Sequence, residues 1–116
     1  MDALYLGLIS GTSADAIDAA LVAFDGDAPT TLATSATPYQ PALRERILDL
    51  ALGRETASFD RSGELDVEIG HAFAAAAEAL IAGSGIGRER IRAIGSHGQT
   101  LWHRPYAARP FTVQLG

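Results

Sequence analysis

The sequence contains neither cysteine nor lysine, and these two absences exclude several kinds of site. Without cysteine the chain can form no disulfide and no thiolate metal site, whichever compartment it occupies. All nine basic residues are arginine, so this segment holds no Schiff-base lysine and no P-loop lysine. The net charge of −5 argues against a general nucleic-acid or membrane-surface binder, because such binding needs clustered positive charge.

Long apolar runs and a basic N-terminal region are also lacking. We therefore expect no signal peptide, no membrane span and a cytoplasmic location. A chain of 116 residues can bury one core, and no internal repeat or low-complexity linker divides it. The sequence therefore predicts a single domain over residues 1–116.

Two short apolar runs flank a small polar segment near the N-terminus. Leu4–Ile9 and Ile17–Phe24 are rich in β-favourable side chains, which indicates two strands. The segment Ser10–Asp15 would join them as an antiparallel hairpin. Its backbone N–H groups, hydroxyls and glycine are typical of a phosphate-binding loop that uses no lysine. An ordinary glycine and serine turn is the alternative interpretation of the same residues.

The middle of the chain predicts a third strand and a first helix. Thr30–Thr37 is rich in β-branched residues and precedes two prolines, which favours a strand at the edge of the sheet. Pro41 fits the first turn of a helix whose apolar stripe ends before Gly53. Arg54–Gly63 is polar and is expected to be a connection.

The second half predicts a long helix and two further strands. Glu64–Ala82 carries apolar residues along one helical face, and a glycine cluster ends it. That cluster follows a helix instead of a strand, so we do not interpret it as a dinucleotide-binding loop. Arg90–Ser96 is expected to be a short strand with Ile91, Ala93 and Ile94 buried, and Thr112–Leu115 starts another strand.

The order of these elements predicts an α/β fold with a mixed sheet. An antiparallel hairpin or meander comes first, followed by helices and parallel strands. With a right-handed crossover, the strand after the helices should lie beside the first strand and parallel to it.

A second group of polar residues, from His97 to His103, follows the predicted end of a strand. Ligands gather at strand ends in α/β sheets. The histidine, glutamine, threonine and tryptophan side chains of this group can donate, accept and stack, as recognition of a polyhydroxylated sugar requires. Structural histidines are the alternative. A zinc site is disfavoured, because no third ligand lies near the two histidines.

Two motifs resemble those of anhydro-N-acetylmuramic acid kinases. Gly-Thr-Ser-x-Asp-x-Ile-Asp at residues 11–18 is similar to the family's opening signature. His97–Pro105, with Thr112–Gly116 after it, is similar to a second block in the family's order and spacing. The resemblance covers the whole chain but only about the N-terminal third of the family's usual length. The family usually has glycine where this chain has Ala16.

The resemblance implies one lobe of the actin-like (ribonuclease-H-like) ATPase fold, with the C-terminal lobe absent from this segment. It also implies a transferase that uses ATP and Mg²⁺ to phosphorylate 1,6-anhydro-N-acetylmuramic acid. Hydrolytic opening of the anhydro ring would give N-acetylmuramic acid 6-phosphate in peptidoglycan recycling. The expected partners are ATP and the sugar, and we expect a homodimer without nucleic-acid or membrane partners.

The resemblance also assigns residues to sites. Asp15 and Asp18 are candidates for holding Mg²⁺ through water, although Asp15 could instead simply close the turn. The general base is expected beyond residue 116, so we name no catalytic residue and expect the segment alone to be inactive. The nucleotide site would comprise Gly11, Thr12, Ser13, Ala14, Asp15, Ala16, Ile17 and Asp18, and the sugar site His97, Gln99, Thr100 and His103.

Two other functions are compatible with the same sequence. One is a different sugar or small-molecule kinase or ATPase of the actin, heat-shock-protein and sugar-kinase superfamily. The other is a nucleotide-binding module without enzymatic activity. The identity of the accepted sugar distinguishes an anhydrosugar kinase from another kinase of the superfamily. Transfer of a phosphoryl group distinguishes either kinase from a binding module without activity.

Overall fold

The structure is a computed structural model that describes residues 3–116. A 3₁₀ turn, Arg88–Arg90, leads into the fourth strand. The strands and helices in chain order are β1 (Ala3–Ser10), β2 (Ala16–Asp25), β3 (Ala28–Pro38), α1 (Pro41–Ala51), α2 (Phe59–Ser84), β4 (Ile91–Arg104) and β5 (Phe111–Leu115).

All five strands belong to one mixed sheet with the order β3-β2-β1-β4-β5. The first three strands form an antiparallel meander, in which β3 lies at the edge as its sequence predicts. Strand β4 lies beside β1 and runs parallel to it, which confirms the crossover expected after the helices. The carboxyl ends of β1 and β4 therefore lie at the same edge of the sheet.

The helices cover one face of this sheet. Alternate residues of β1, Leu4, Leu6 and Leu8, face the core, whereas Ile9 lies on the opposite face and is 46% exposed. Apolar side chains of α2 complete the core, among them Leu65 and Ile69. The burial of one face only is the alternation expected of an antiparallel strand pair with a single covered side. The helix-free face is therefore available to a ligand or to another protein segment.

Helix α2 begins five residues earlier than its apolar pattern predicts. Ser58 is the N-cap residue, and its Oγ accepts a hydrogen bond from the Arg61 N–H at 3.1 Å. The expected polar connection over Arg54–Gly63 is thus wrong for residues 59–63. The first turn and a half of the helix buries no apolar side chain, since even Phe59 is exposed, so an apolar stripe cannot reveal it, whereas a serine cap can.

Strand β4 is longer than predicted and less buried at its start. It continues to Arg104 instead of ending at Ser96, so the second polar group lies within the strand and not after it. The expected burial of Ala93 and Ile94 is also wrong, since both are exposed and Ile94 keeps 54% of its surface accessible. Glu78 and Ile81 of α2 border that part of β4 but leave Ile94 open to solvent.

A bulge explains why the strand continues. Leu8 pairs with Ser96, but Ser10 pairs with Gln99, so β4 holds one more residue than β1 over this stretch. Gly98 lies in the bulge with φ +79°, a left-handed conformation that favours glycine. Gly98, two residues beyond the predicted end at Ser96, is thus the residue that lets the strand continue.

Only β4 fulfils the expectation of parallel strands after the helices, because β5 is antiparallel to β4. Residues 105–110 connect the two strands, and a link of this length suits a hairpin. A parallel connection needs about a dozen residues or more. Neither helix of residues 3–116 is long and apolar enough to cross a bilayer.

Candidate functional site

The turn between β1 and β2 lies at the carboxyl edge of the sheet. The Ala14 N–H donates to the Gly11 carbonyl at 3.1 Å, which closes the turn. Ala14 is fully buried and has φ +52°, whereas Thr12, Ser13 and Asp15 are exposed. A turn that contains a left-handed residue is one of the backbone arrangements that bind anions. The sequence motif thus forms an exposed turn anchored by a single buried residue.

Gln99 joins the two sequence motifs directly. Its side chain is fully buried, and its Nε2 donates to the Gly11 carbonyl at 2.7 Å and to the Thr100 carbonyl at 3.0 Å. Its Oε1 accepts a hydrogen bond from the Tyr39 hydroxyl at 2.9 Å. The donors and the acceptor of the amide are therefore all engaged within the protein. In this arrangement Gln99 supports the turn through the Gly11 carbonyl.

Tyr39 supplies the buried donor to this amide. Burial raises the pKa of Tyr39 to about 12, and the neighbouring Ser10 hydroxyl acts in the opposite direction. Ser10 Oγ itself is buried and has no hydrogen bond of ordinary geometry within residues 3–116. Because the phenol stays protonated at neutral pH, it remains a donor to Gln99.

Arg44 approaches the turn from α1. Its Nε donates to the Ala14 carbonyl at 3.0 Å, and one terminal nitrogen donates to the Ser13 carbonyl at 3.1 Å. The same terminal nitrogen pairs with Asp15 Oδ1 at 3.2 Å. The segment Gly11–Asp15 is thus held from two sides, by Gln99 and by Arg44.

His97 and Asp18 line one open cleft on the helix-free face. The cleft has a volume of about 790 Å³, and its floor is made by small or apolar residues such as Gly7, Ala20 and Gly95. Both polar side chains are exposed, and neither makes a hydrogen bond or ion pair with another residue of 3–116. Of the residues assigned to the sugar from sequence, His97 is the one that reaches this cleft.

Thr100 and His103 lie further along β4. Thr100 is buried and its Oγ1 accepts from Gln114 Nε2 at 3.4 Å, while His103 Nδ1 lies 2.8 Å from Thr112 Oγ1. At about 3.3 Å per strand residue, His103 lies roughly 15–20 Å from His97. The structure therefore does not bring the two histidines together. No cluster of three or more potential metal ligands occurs in residues 3–116.

The remaining residues of the first motif belong to strand β2. Ile17 is buried in the core, and Ala16 pairs with Pro38 at the start of the strand. Ala16 does not have the positive φ that would favour glycine. The alanine at a position where the family usually has glycine is therefore accommodated without left-handed strain.

Sequence reasoning missed Tyr39 and Arg44. Arg44 looked like one of several polar residues on α1, and Tyr39 lies between two prolines outside any periodic pattern. Their role depends on contacts across 30 and 60 residues, so neither has a local signal. The nearest hint in the sequence was their position. Tyr39 lies just before helix α1, and Arg44 lies within it.

The fold and this turn define a class of protein. An antiparallel meander, a parallel strand beside β1 and helices on one face form a mixed α/β fold that is compatible with a lobe of an actin-like ATPase. The sequence profile of the anhydro-N-acetylmuramic acid kinase family matches residues 3–116. The chain belongs to the anhydro-N-acetylmuramic acid kinase family.

Curated relatives agree with the family profile. A protein of that name from Xanthomonas axonopodis pv. citri is 53% identical over 116 residues, which covers 97% of this chain and 31% of the relative. The Xylella fastidiosa protein is also 53% identical and the Vibrio vulnificus protein 44% identical, each match covering 97% of this chain and 30% of the relative. The chain thus spans about a third of the length of these relatives.

The bulge at Gly98 generates a test of how the site is built. A Cβ at Gly98 would lie 2.8 Å from the Leu115 carbonyl oxygen, and the backbone there is left-handed. We expect Gly98→Ala to lower the free energy of unfolding by about 1–2 kcal/mol or more. Gly95→Ala is the matched control on the same strand, since its Cβ would meet nothing within 4 Å.

Urea denaturation followed by circular dichroism measures both variants. The control should change the free energy of unfolding by less than about 0.5 kcal/mol. Equal effects of the two substitutions would show that the bulge imposes no special requirement at Gly98.

Proposed function

We propose that this segment forms part of an enzyme that transfers the γ-phosphoryl group of ATP to 1,6-anhydro-N-acetylmuramic acid. In the proposed reaction O6 of the sugar receives the phosphoryl group and ADP leaves. The C1–O6 bond breaks, the oxygen of water bonds to C1, and one proton is released. The product is N-acetylmuramic acid 6-phosphate, an intermediate of peptidoglycan recycling. The observation that carries the proposal is the hydrogen bond from Gln99 to Gly11, which unites both family motifs in one site.

The turn suits ATP phosphates in its geometry. The N–H groups of Thr12, Ser13 and Asp15 make no hydrogen bond within residues 3–116, and the hydroxyls of Thr12 and Ser13 are exposed. A Cβ on Gly11 would meet no atom within 4 Å, and the residue has no positive φ. The fold itself therefore does not require glycine there, whereas close approach of a phosphate would.

Two carboxylates are available to hold Mg²⁺. The ion is usually bound by one or two carboxylates together with substrate phosphates and water. Asp18 lines the cleft without a partner among the described residues, while Asp15 is paired with Arg44. This difference favours Asp18 as the residue that holds the ion through water, with Asp15 in a lesser role. Bound ATP and Mg²⁺ would supply the transferable phosphoryl group and neutralise its charge.

The sugar would occupy the open cleft, where His97 can donate or accept a hydrogen bond. Gln99 and Thr100 are buried, so in this arrangement they act on the site indirectly, by holding other residues in place. His103 lies further along β4, and its contact with the sugar remains a prediction from the resemblance. The general base that activates water is expected from the rest of the enzyme, and we assign no catalytic residue here.

We also infer that the complete enzyme is a cytoplasmic homodimer. Phe59 is 98% exposed, and it lines an apolar groove of about 630 Å³ together with Trp102 and Val113. Exposed apolar patches promote association. Sedimentation of a full-length protein carrying this segment should give twice the chain mass, and a monomer at micromolar concentration would contradict the inference.

His97→Ala tests the sugar site in a full-length family member in which residues 1–116 are those of this chain. The substitution removes a hydrogen-bonding group from the cleft, so sugar kcat/KM should fall by about tenfold or more. The KM for ATP should stay within about twofold, since distinct sites couple only weakly. The measurement is steady-state kinetics with identification of the sugar phosphate formed.

His71→Ala is the matched control, because His71 is exposed on α2 away from the cleft. It should leave both kinetic constants unchanged. Wild-type sugar kinetics in the His97 variant would contradict the assignment. Formation of no sugar phosphate by the unsubstituted protein would contradict the proposed function itself.

A further inference from the structure

One guanidinium contacts three consecutive residues of the turn. Arg44 donates to the carbonyls of Ser13 and Ala14 at 3.1 and 3.0 Å and to the Asp15 carboxylate at 3.2 Å. Arg44 lies on α1, some 30 residues away in sequence and outside both motifs. An interaction of this kind acts on the shape of the turn from outside it.

The two carbonyl contacts matter more than the ion pair. The side chains of Arg44 and Asp15 are 39% and 75% exposed, and an ion pair so open to solvent contributes little. Hydrogen bonds from a charged donor are stronger than those between neutral groups, and here they end on two successive carbonyl oxygens. Arg44 therefore acts mainly by fixing the orientation of two peptide groups.

Peptide planarity carries this orientation to the N–H groups. In a trans peptide the N–H points opposite to the carbonyl of the preceding residue. Holding the Ser13 carbonyl directs the Ala14 N–H toward the Gly11 carbonyl, where it donates at 3.1 Å. Holding the Ala14 carbonyl directs the Asp15 N–H away from Arg44, and that N–H has no partner within residues 3–116.

The left-handed conformation of Ala14 needs such support. Its φ of +52° is unfavourable for alanine and persists only where the surroundings hold it. The buried methyl group, the hydrogen bond from the Ala14 N–H to Gly11 and the two contacts from Arg44 hold it here. Without the guanidinium, the Ser13 and Ala14 carbonyls lose these donors, and the two peptide groups become free to rotate.

We propose that Arg44 is a positioning residue that presets residues 13–15 to receive the phosphates of ATP. The proposal rests on the nucleotide role proposed above for this turn. Arg44 does not need to touch the nucleotide. It raises affinity because a preformed turn loses less conformational freedom when ATP binds.

Three variants of the full-length protein carrying this segment test the proposal by calorimetry with Mg²⁺-ATP. Arg44→Ala should weaken the Kd by about tenfold or more and leave the sugar KM within about twofold. Arg44→Lys should be intermediate, because one ammonium cannot hold two carbonyls in a fixed fork. Arg46→Ala is the control on the same helix, since Arg46 pairs with Glu68 at a similar exposure, and it should leave the Kd unchanged.

The outcomes separate the inference from the function on which it rests. An Arg44→Ala Kd equal to that of Arg46→Ala overturns the positioning role. So does a parallel loss of ATP and sugar binding with a lower unfolding midpoint, which would indicate a merely structural residue. If Arg44→Ala does not fold, a wild-type Kd in Arg44→Lys overturns it. Absence of ATP binding in the unsubstituted protein would instead refute the proposed nucleotide site.

Discussion

The buried amide of Gln99 is the interaction on which the rest of this site depends. It connects the Gly11 carbonyl, the Tyr39 hydroxyl and strand β4, which are separated by 88 and 60 residues in the sequence. A buried amide left without partners costs about 1–3 kcal/mol, so the arrangement is stable only when all three segments are in place. The turn Gly11–Asp15 is thereby attached to the strand that also carries His97.

The sheet divides the molecule into a covered face and an open one. Leucines and isoleucines of alternate strand positions pack under α1 and α2, and the opposite face keeps a cleft lined by Asp18 and His97. Five of the nine arginines of this acidic chain pair with carboxylates within residues 3–116, and one of those five also holds the turn. Among these five paired arginines, Arg44 is the one whose positive charge lies at the candidate nucleotide site.

Much of this architecture was accessible from the sequence, because it follows from periodicity. The antiparallel pairing of β1 and β2, the edge position of β3 and the parallel placement of β4 were predicted and are confirmed. The bulge at Gly98 was not, since a glycine within a strand looks locally like a strand end. Arg44 and Tyr39 also escaped prediction, because their partners are distant in sequence. The residue types in the motifs indicated what chemistry they could perform. That Gln99 is buried and His97 is exposed depends on tertiary packing, which the motifs do not encode.

The central claim is that Gln99 holds the turn, in contrast to the sequence-based assignment of Gln99 to the sugar alone. The most direct measurement is the affinity of the full-length Gln99→Ala variant for Mg²⁺-ATP, with Gln114→Ala as the control on the neighbouring strand. Loss of the Gly11 contact should weaken ATP binding by about tenfold while the control binds normally. Unchanged ATP affinity together with a loss of sugar turnover would contradict the account, because Gln99 would then act on the sugar and not on the turn.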